Sequence, residues 1–198
     1  VDRIERDDEG FSVVLADETL RVRDVVVATP ASAAASLLRP HSTRLAELLD
    51  GIEYPSLVSV SLGYRKEDVR HDSAGFGFLA PRVAGLRILG GIFPSSIFAG
   101  RAPEGWHAYT CFIGGATDPK AFELDDDDIV ELVANDLAAT VGASGAPRVL
   151  QVVRWPRAIP QYTIGHVDRV AEIERECGKL GLRVLGNYLH GVSVGDCV

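Results

Sequence analysis

"VVVATPASAAASLL", residues 25–38, decides how the rest of the chain is read. Three valines and an alanine make a continuous apolar run, as expected of a strand buried on both faces. Thr29-Pro30 ends the run, and residues 31–38 are rich in helix formers, with Pro30 suited to a first-turn position. A strand that feeds a helix but meets no further strand–helix partner reads as the tail of a sheet. The remainder of that sheet lies outside these 198 residues. Upstream, residues 1–22 give a strand, a turn over 7–10, a second strand over 11–15 and a short third near 20–22.

Downstream of Leu57 the character changes. "LVSVSLGY" and "GFGFLAP" alternate apolar and small residues, and "LRILGGIF" and "HAYTCFIGG" are two more β-rich runs bounded by Gly and Pro. Four such segments in succession predict an antiparallel sheet with helices to one side. Ile129, Leu132, Val133 and Leu137 predict an amphipathic helix over 125–140, its start charged by the aspartates at 125–128. A strand "VLQVVRWP" follows, then "RAIPQYTIGH", a charged helix over roughly 167–180 and a final strand over 182–185. The chain therefore reads as α+β, with boundary candidates at 39–42 and 51–56. The assignment is a partial nucleotide-binding domain over 1–40, a substrate-binding domain over 41–180, and a return to the first domain over 181–198.

Composition narrows the function classes. A net charge of -8 argues against nucleic acid, which requires a basic footprint. Three cysteines without a CxxC suggest neither a disulfide framework nor a zinc site and fit a reducing, cytoplasmic compartment. No signal peptide opens the chain, and no apolar run approaches the ~20 residues that span a bilayer. The absence of methionine suggests that the chain begins inside a longer protein. His41, His71, His107, His166 and His190 have no metal-ligand spacing, and Ser193 in "GVSVG" does not form a nucleophile elbow. The glycine pairs at 90–91 and 114–115 open no helix and are better read as bulges or close strand packing. No acid–base dyad, nucleophile or metal site stands out, so any catalysis would rest on a cofactor. Trp155, at a strand end beside two prolines, is core or the wall of an aromatic cofactor. In "GVSVGDCV", Gly191 and Gly195 would let backbone N–H groups approach a ligand.

Taken together, "VVVATPASAAASLL", "GFGFLAP", "GGIFPSSIFAGRAPEG", "YTCFIGG", "RWPRAIPQYTIGH" and "GNYLHGVSVGDCV" resemble the protoporphyrinogen oxidase family. These are flavin enzymes of haem biosynthesis within the wider FAD-dependent amine oxidase group. The motifs occur in the family's order along the whole chain, and "WPRAIPQYTIGH" followed by "GNY…GVSVGDC" is the specific part. The resemblance implies the C-terminal portion of a two-domain flavoenzyme whose GxGxxG segment is absent from these residues. It implies oxidation of protoporphyrinogen or coproporphyrinogen to the porphyrin, by hydride transfer to FAD with dioxygen as acceptor. By the same resemblance Val1 meets the adenine, Trp155 stands beside the flavin, and Val192, Ser193 and Val194 form the turn next to its ring. Leu79, Ile92 and Phe112 would line the tetrapyrrole cavity.

No catalytic side chain or metal ligand is assigned. The family's propionate-pairing arginine and its membrane-associating region fall outside the chain. Membrane contact would be peripheral and made there, and exposed surface left behind leaves homodimerisation open. The helix after "DC" is also expected to be absent, and the isolated chain to hold FAD weakly or not at all. The rivals are a polyamine oxidase, a carotenoid desaturase and a non-catalytic tetrapyrrole-binding domain.

Overall fold

The computed structural model describes residues 1–197. The chain forms two compact units, one of Val1–Tyr54 with Ile159–Val198 and one of Pro55–Ala158. The divisions fall at 54/55, inside the boundary candidate 51–56, and at 158/159, whereas the domain assignment set them at 40/41 and 180/181. The difference comes from two helices. Thr43–Asp50 and His166–Leu180, here α2 and α5, bury Leu45, Leu49, Ile173 and Cys177 in one core with Ala31–Leu38, here α1. Arg44 reinforces that association with paired bonds of 2.8 Å to Glu172. Both helices therefore belong with the first unit.

The first unit also contains a three-stranded antiparallel sheet of Arg3–Asp7 (β1), Gly10–Val14 (β2) and Thr19–Val22 (β3). The valine run forms only the two-residue strand Val26–Val27 (β4), and Val26 is half exposed while Val27 is buried. Its one neighbour is Arg183–Val184 (β10), which runs parallel to it. Val25 and Val27 are buried and Val26 faces out, so the strand is buried on one face rather than both. Ser42 caps α2 by accepting from the Leu45 N–H at 3.1 Å, a start signal that satisfies one orphan donor.

The second unit is built on five antiparallel strands: Leu57–Arg65 (β5), Gly77–Leu79 (β6), Ile88–Ile92 (β7), Trp106–Gly114 (β8) and Arg148–Trp155 (β9). They lie in the order β6-β7-β8-β5-β9. Between them come the single-turn helix Pro94–Ile97 (α3) and the long helix Asp126–Thr140 (α4). Asp125 accepts from the Asp128 N–H at 2.8 Å, so the aspartate run is the cap and first turn of α4. Directly opposed residues share a face of the sheet. Val58, Val60, Leu62, Tyr109, Cys111 and Ile113 point to one side and make a core with Ile129, Val133 and Leu137 of α4. Cys111 lies in this core, where burial pushes its thiol up to about 12 and leaves it inert. Gly90 sits at the bulge that separates Ile88 from the regular register. Its φ is +155°, and a Cβ there would stand 2.4 Å from the Phe78 carbonyl oxygen.

Leu137 is fully buried in that core. Leu137→Ala is expected to cost the unit about 2–5 kcal/mol, from lost burial plus the cavity left behind. The chain's two tryptophans, Trp106 and Trp155, both lie in this unit, so urea unfolding followed by tryptophan emission measures it. An unmoved midpoint would refute the packing of α4 on the sheet.

His107 is buried beside Tyr109, and burial, with the Lys66 charge, lowers its imidazole from the ordinary 6.5. The unfolded chain binds the proton more readily than the fold does. The contribution of His107 is therefore full above pH 6.5 and lost as pH falls through the lowered folded value. His107→Gln should flatten stability over that window, as measured by urea titrations at a series of pH values.

Candidate functional site

Four of the sequence-selected residues lie on the face of the five-stranded sheet opposite α4, spread from the edge strand β6 to the edge strand β9. The pairings Leu79–Gly90, Gly90–Phe112 and Phe112–Ser59 put Leu79, Phe112 and Ser59 in one cross-strand row. The next row holds Ile92, Thr110 and Ser61, and the row on the other side holds Leu57 and Trp155. Ile92 and Phe112 are half-buried, while Leu79 is 89% exposed and Trp155 50% exposed. For Leu79 and Trp155 the core-residue reading therefore fails. The Trp155 Nε1–H donates to Ser59 Oγ at 3.2 Å, which fixes one edge of the indole against the sheet. Ser61 Oγ and Thr110 Oγ1 share a hydrogen bond of 3.0 Å, so these two hydroxyls satisfy each other. The result is an apolar and aromatic surface with few free polar groups, suited to a flat, largely apolar ligand.

In the first unit, "QYTIGH" and "GNYLHGVS" come together. The Tyr162 hydroxyl donates to the Asn187 carbonyl at 2.6 Å, and His166 Nε2 lies 3.1 Å from the Leu189 carbonyl. The carbonyl can only accept, so His166 carries its proton on Nε2. The two rings stack with centroids 4.3 Å apart and 13° between planes. A double clamp thus holds the backbone that leads into Val192. A cavity of about 490 Å³ adjoins it, lined by Tyr162, His166, Val170, Leu189 and His190 among others. Sequence reading quoted both motifs but gave Tyr162 and His166 no role, because contacts to carbonyls more than 20 residues away leave no local signal.

The turn itself differs from the sequence expectation. Residues Val194–Cys197 form a single 3-10 turn that ends on the "DC" pair, and the expectation about a helix after it lies outside the described residues. Ser193 Oγ donates to Asp196 Oδ2 at 2.6 Å, and the Asp196 N–H donates back to the Ser193 carbonyl at 3.0 Å. A Cβ on Gly191 would stand 2.3 Å from Asp196 Oδ2. The space at Gly191 is therefore filled by the chain's own carboxylate and is not an opening for a ligand. Val192, Ser193 and Val194 are exposed, as is Val1 ahead of β1. Val198, the last residue of the quoted motif, lies outside the described residues.

Two buried hydroxyls, Thr29 Oγ1 and Tyr188 Oη, have no hydrogen-bond partner among the described residues. Each follows, in sequence, the carboxyl end of one of the parallel strands β4 and β10, the edge at which open α/β sheets take their ligands. Both hydroxyl oxygens are closed off from solvent, and Tyr188 is fully buried in the core of the unit, so of this region only the exposed backbone over 192–194 is open to a cofactor.

The chain belongs to the flavin-containing amine oxidoreductase family, whose profile matches residues 1–198. Within that class the most similar relatives include protoporphyrinogen oxidase 1, chloroplastic, from Spinacia oleracea. It is 40% identical, over 91% of this chain and 34% of its own length. Coproporphyrinogen III oxidase from Bacillus subtilis (strain 168) is 29% identical, over 91% of this chain and 38% of its own. This chain thus spans a little over a third of the length of such relatives. A crystal structure from Exiguobacterium sp. 255-15, assigned as a protoporphyrinogen oxidase, shares the fold with a TM-score of 0.78 at 23% identity. That match covers 98% of this chain and 43% of the other.

Tyr162→Phe should remove one arm of the clamp at a cost of about 1 kcal/mol, the net worth of such a bond. Hydrogen exchange over residues 186–190 is expected to accelerate. Unchanged exchange there would mean that the stack on His166 alone holds the turn.

Proposed function

We propose that the chain supplies the substrate-binding face and the flavin-facing turn of an FAD-dependent oxidase that converts a porphyrinogen to its porphyrin. The substrate is protoporphyrinogen IX or coproporphyrinogen III. The observation that carries the reading is the common face of Leu79, Ile92, Phe112 and Trp155. A large flat macrocycle gains most from an apolar and aromatic wall whose few hydroxyls are already satisfied. The names of the curated relatives support the same substrate class.

In this reading, Leu79, Ile92 and Phe112 bind one face of the macrocycle and exclude water from it. Trp155, held by Ser59, is the residue of this face that stands beside the flavin. Val192, Ser193 and Val194 present their backbone to the flavin ring, Val1 presents its backbone to the adenine, and Tyr162 and His166 fix the turn in place. FAD, when bound, supplies the two-electron acceptor for each dehydrogenation. None of these side chains acts as a proton donor or acceptor, and their contribution is orientation.

The proposal places the protein in a reducing, cytoplasmic compartment, supported by three free thiols. No helix among the described residues is long and apolar enough to cross a membrane. Membrane contact in this reading is peripheral and made by segments beyond these residues.

Both porphyrinogens should be assayed with the full-length gene product, following porphyrin fluorescence as it appears. Turnover of at least one is expected, with Phe112→Ala raising KM more than it lowers kcat. Oxidation of amines without porphyrinogen turnover would overturn the assignment. The 198-residue chain by itself is expected to purify without stoichiometric yellow flavin, which an absorbance spectrum checks.

A further inference from the structure

The sheet face that carries Trp155 at one end carries a cationic cleft at the other. On β5 the rows run from Leu57 through Ser59 and Ser61 to Gly63, and Gly63 is paired with Ala108 and Arg148. A cleft of about 240 Å³ opens at this last row, walled by Trp106, Pro103 and Leu150 and flanked by Arg101 and Arg148. It lies two residues, about 7 Å, beyond the row of Ile92 and Thr110, and about 20 Å along β5 from the row of Trp155.

The two arginines are not tied up elsewhere. No ion pair among the described residues involves either of them. Glu104, the acidic residue nearest Arg101 in sequence, is exposed and does not line the cleft. Arg101 rests over the Phe98 ring at 5.6 Å, and Arg65 covers the Trp106 ring at 5.0 Å. Stacking of this kind orients a guanidinium while leaving its N–H fork free for a carboxylate. An apolar wall with an unpaired cationic rim matches a molecule with a flat apolar body and an acidic arm.

We propose that Arg101 and Arg148 form a carboxylate subsite at the end of the face remote from Trp155, taking the acidic arm of an aromatic-bodied ligand. Resting on the substrate reading above, that arm is a propionate of the tetrapyrrole. The subsite anchors the arm at the end of the face away from Trp155 and so orients the macrocycle along the sheet.

The test titrates the 198-residue chain with coproporphyrin III and its methyl ester, read by the Soret shift. A parallel titration uses pyrenebutyrate and its methyl ester, read by fluorescence polarisation. Arg101→Gln and Arg148→Gln should each weaken binding of both free acids about tenfold, the scale of one charge-assisted hydrogen bond, and leave the esters unchanged. Arg148→Lys should restore part of the loss, and circular dichroism should be unaltered in all variants. Acids that bind as well to the glutamine variants as to the wild type would overturn the subsite while leaving the tetrapyrrole face intact. Arginine-dependent binding of pyrenebutyrate without any porphyrin binding would keep the subsite and sink the substrate reading.

Discussion

The structure of the second unit depends on the pairing of β5 with a strand on each side. Both edges of β5 are hydrogen-bonded, to β8 and to β9, so its residues are committed to one face or the other with no freedom to slip. Val58, Val60 and Leu62 are thereby assigned to the core, and Leu57, Ser59, Ser61 and Gly63 to the opposite side. A shift by one residue would exchange these sets, bury serines against α4 and turn valines outward. The apolar face, its hydroxyl pair and its arginine-flanked end all inherit their positions from this one register.

The first unit rests on a different kind of constraint. Its pieces come from the two ends of the chain, and they are joined by the parallel pair β4–β10, by the packing of α2 on α5, and by the clamp of Tyr162 and His166 on the 186–190 loop. Only the His166 arm of the clamp is polar and buried at once. His166 is 8% exposed, so the loss of its carbonyl partner would strand a donor away from water.

Period and punctuation made much of this legible. The alternation in "LVSVSLGY" gave β5 and its two faces, and the aspartates at 125–128 gave the start of α4. Leu79, Ile92, Phe112 and Trp155, named by the motifs of the resemblance, share one face of the sheet, though Leu79 and Trp155 stand on its opposite edge strands. What could not be read depends on contacts between distant residues. The helix α2 is short and lies in a stretch that also looked like a boundary, although Ser42 supplied its cap. The partners of α5 are chosen by shape and burial, which its own sequence does not record. Arg101, in the loop before β8, and Arg148, at the start of β9, line one cleft because β8 and β9 flank the same strand with a bulge opposite Ser61 and Leu62, and no local pattern announces such a bulge.

The split first unit also has a consequence for biosynthesis. Pro55–Ala158 is contiguous, and its sheet and α4 are complete once those residues have left the ribosome. Val26 and Val27, by contrast, must wait for Arg183 and Val184 before their strand has a neighbour, with α1 and α2 waiting likewise for α5. Apolar surface on β4, α1 and α2 thus stays uncovered until α5 and β10 have been made. Of the two units, the split one is therefore the more exposed to misassociation during synthesis.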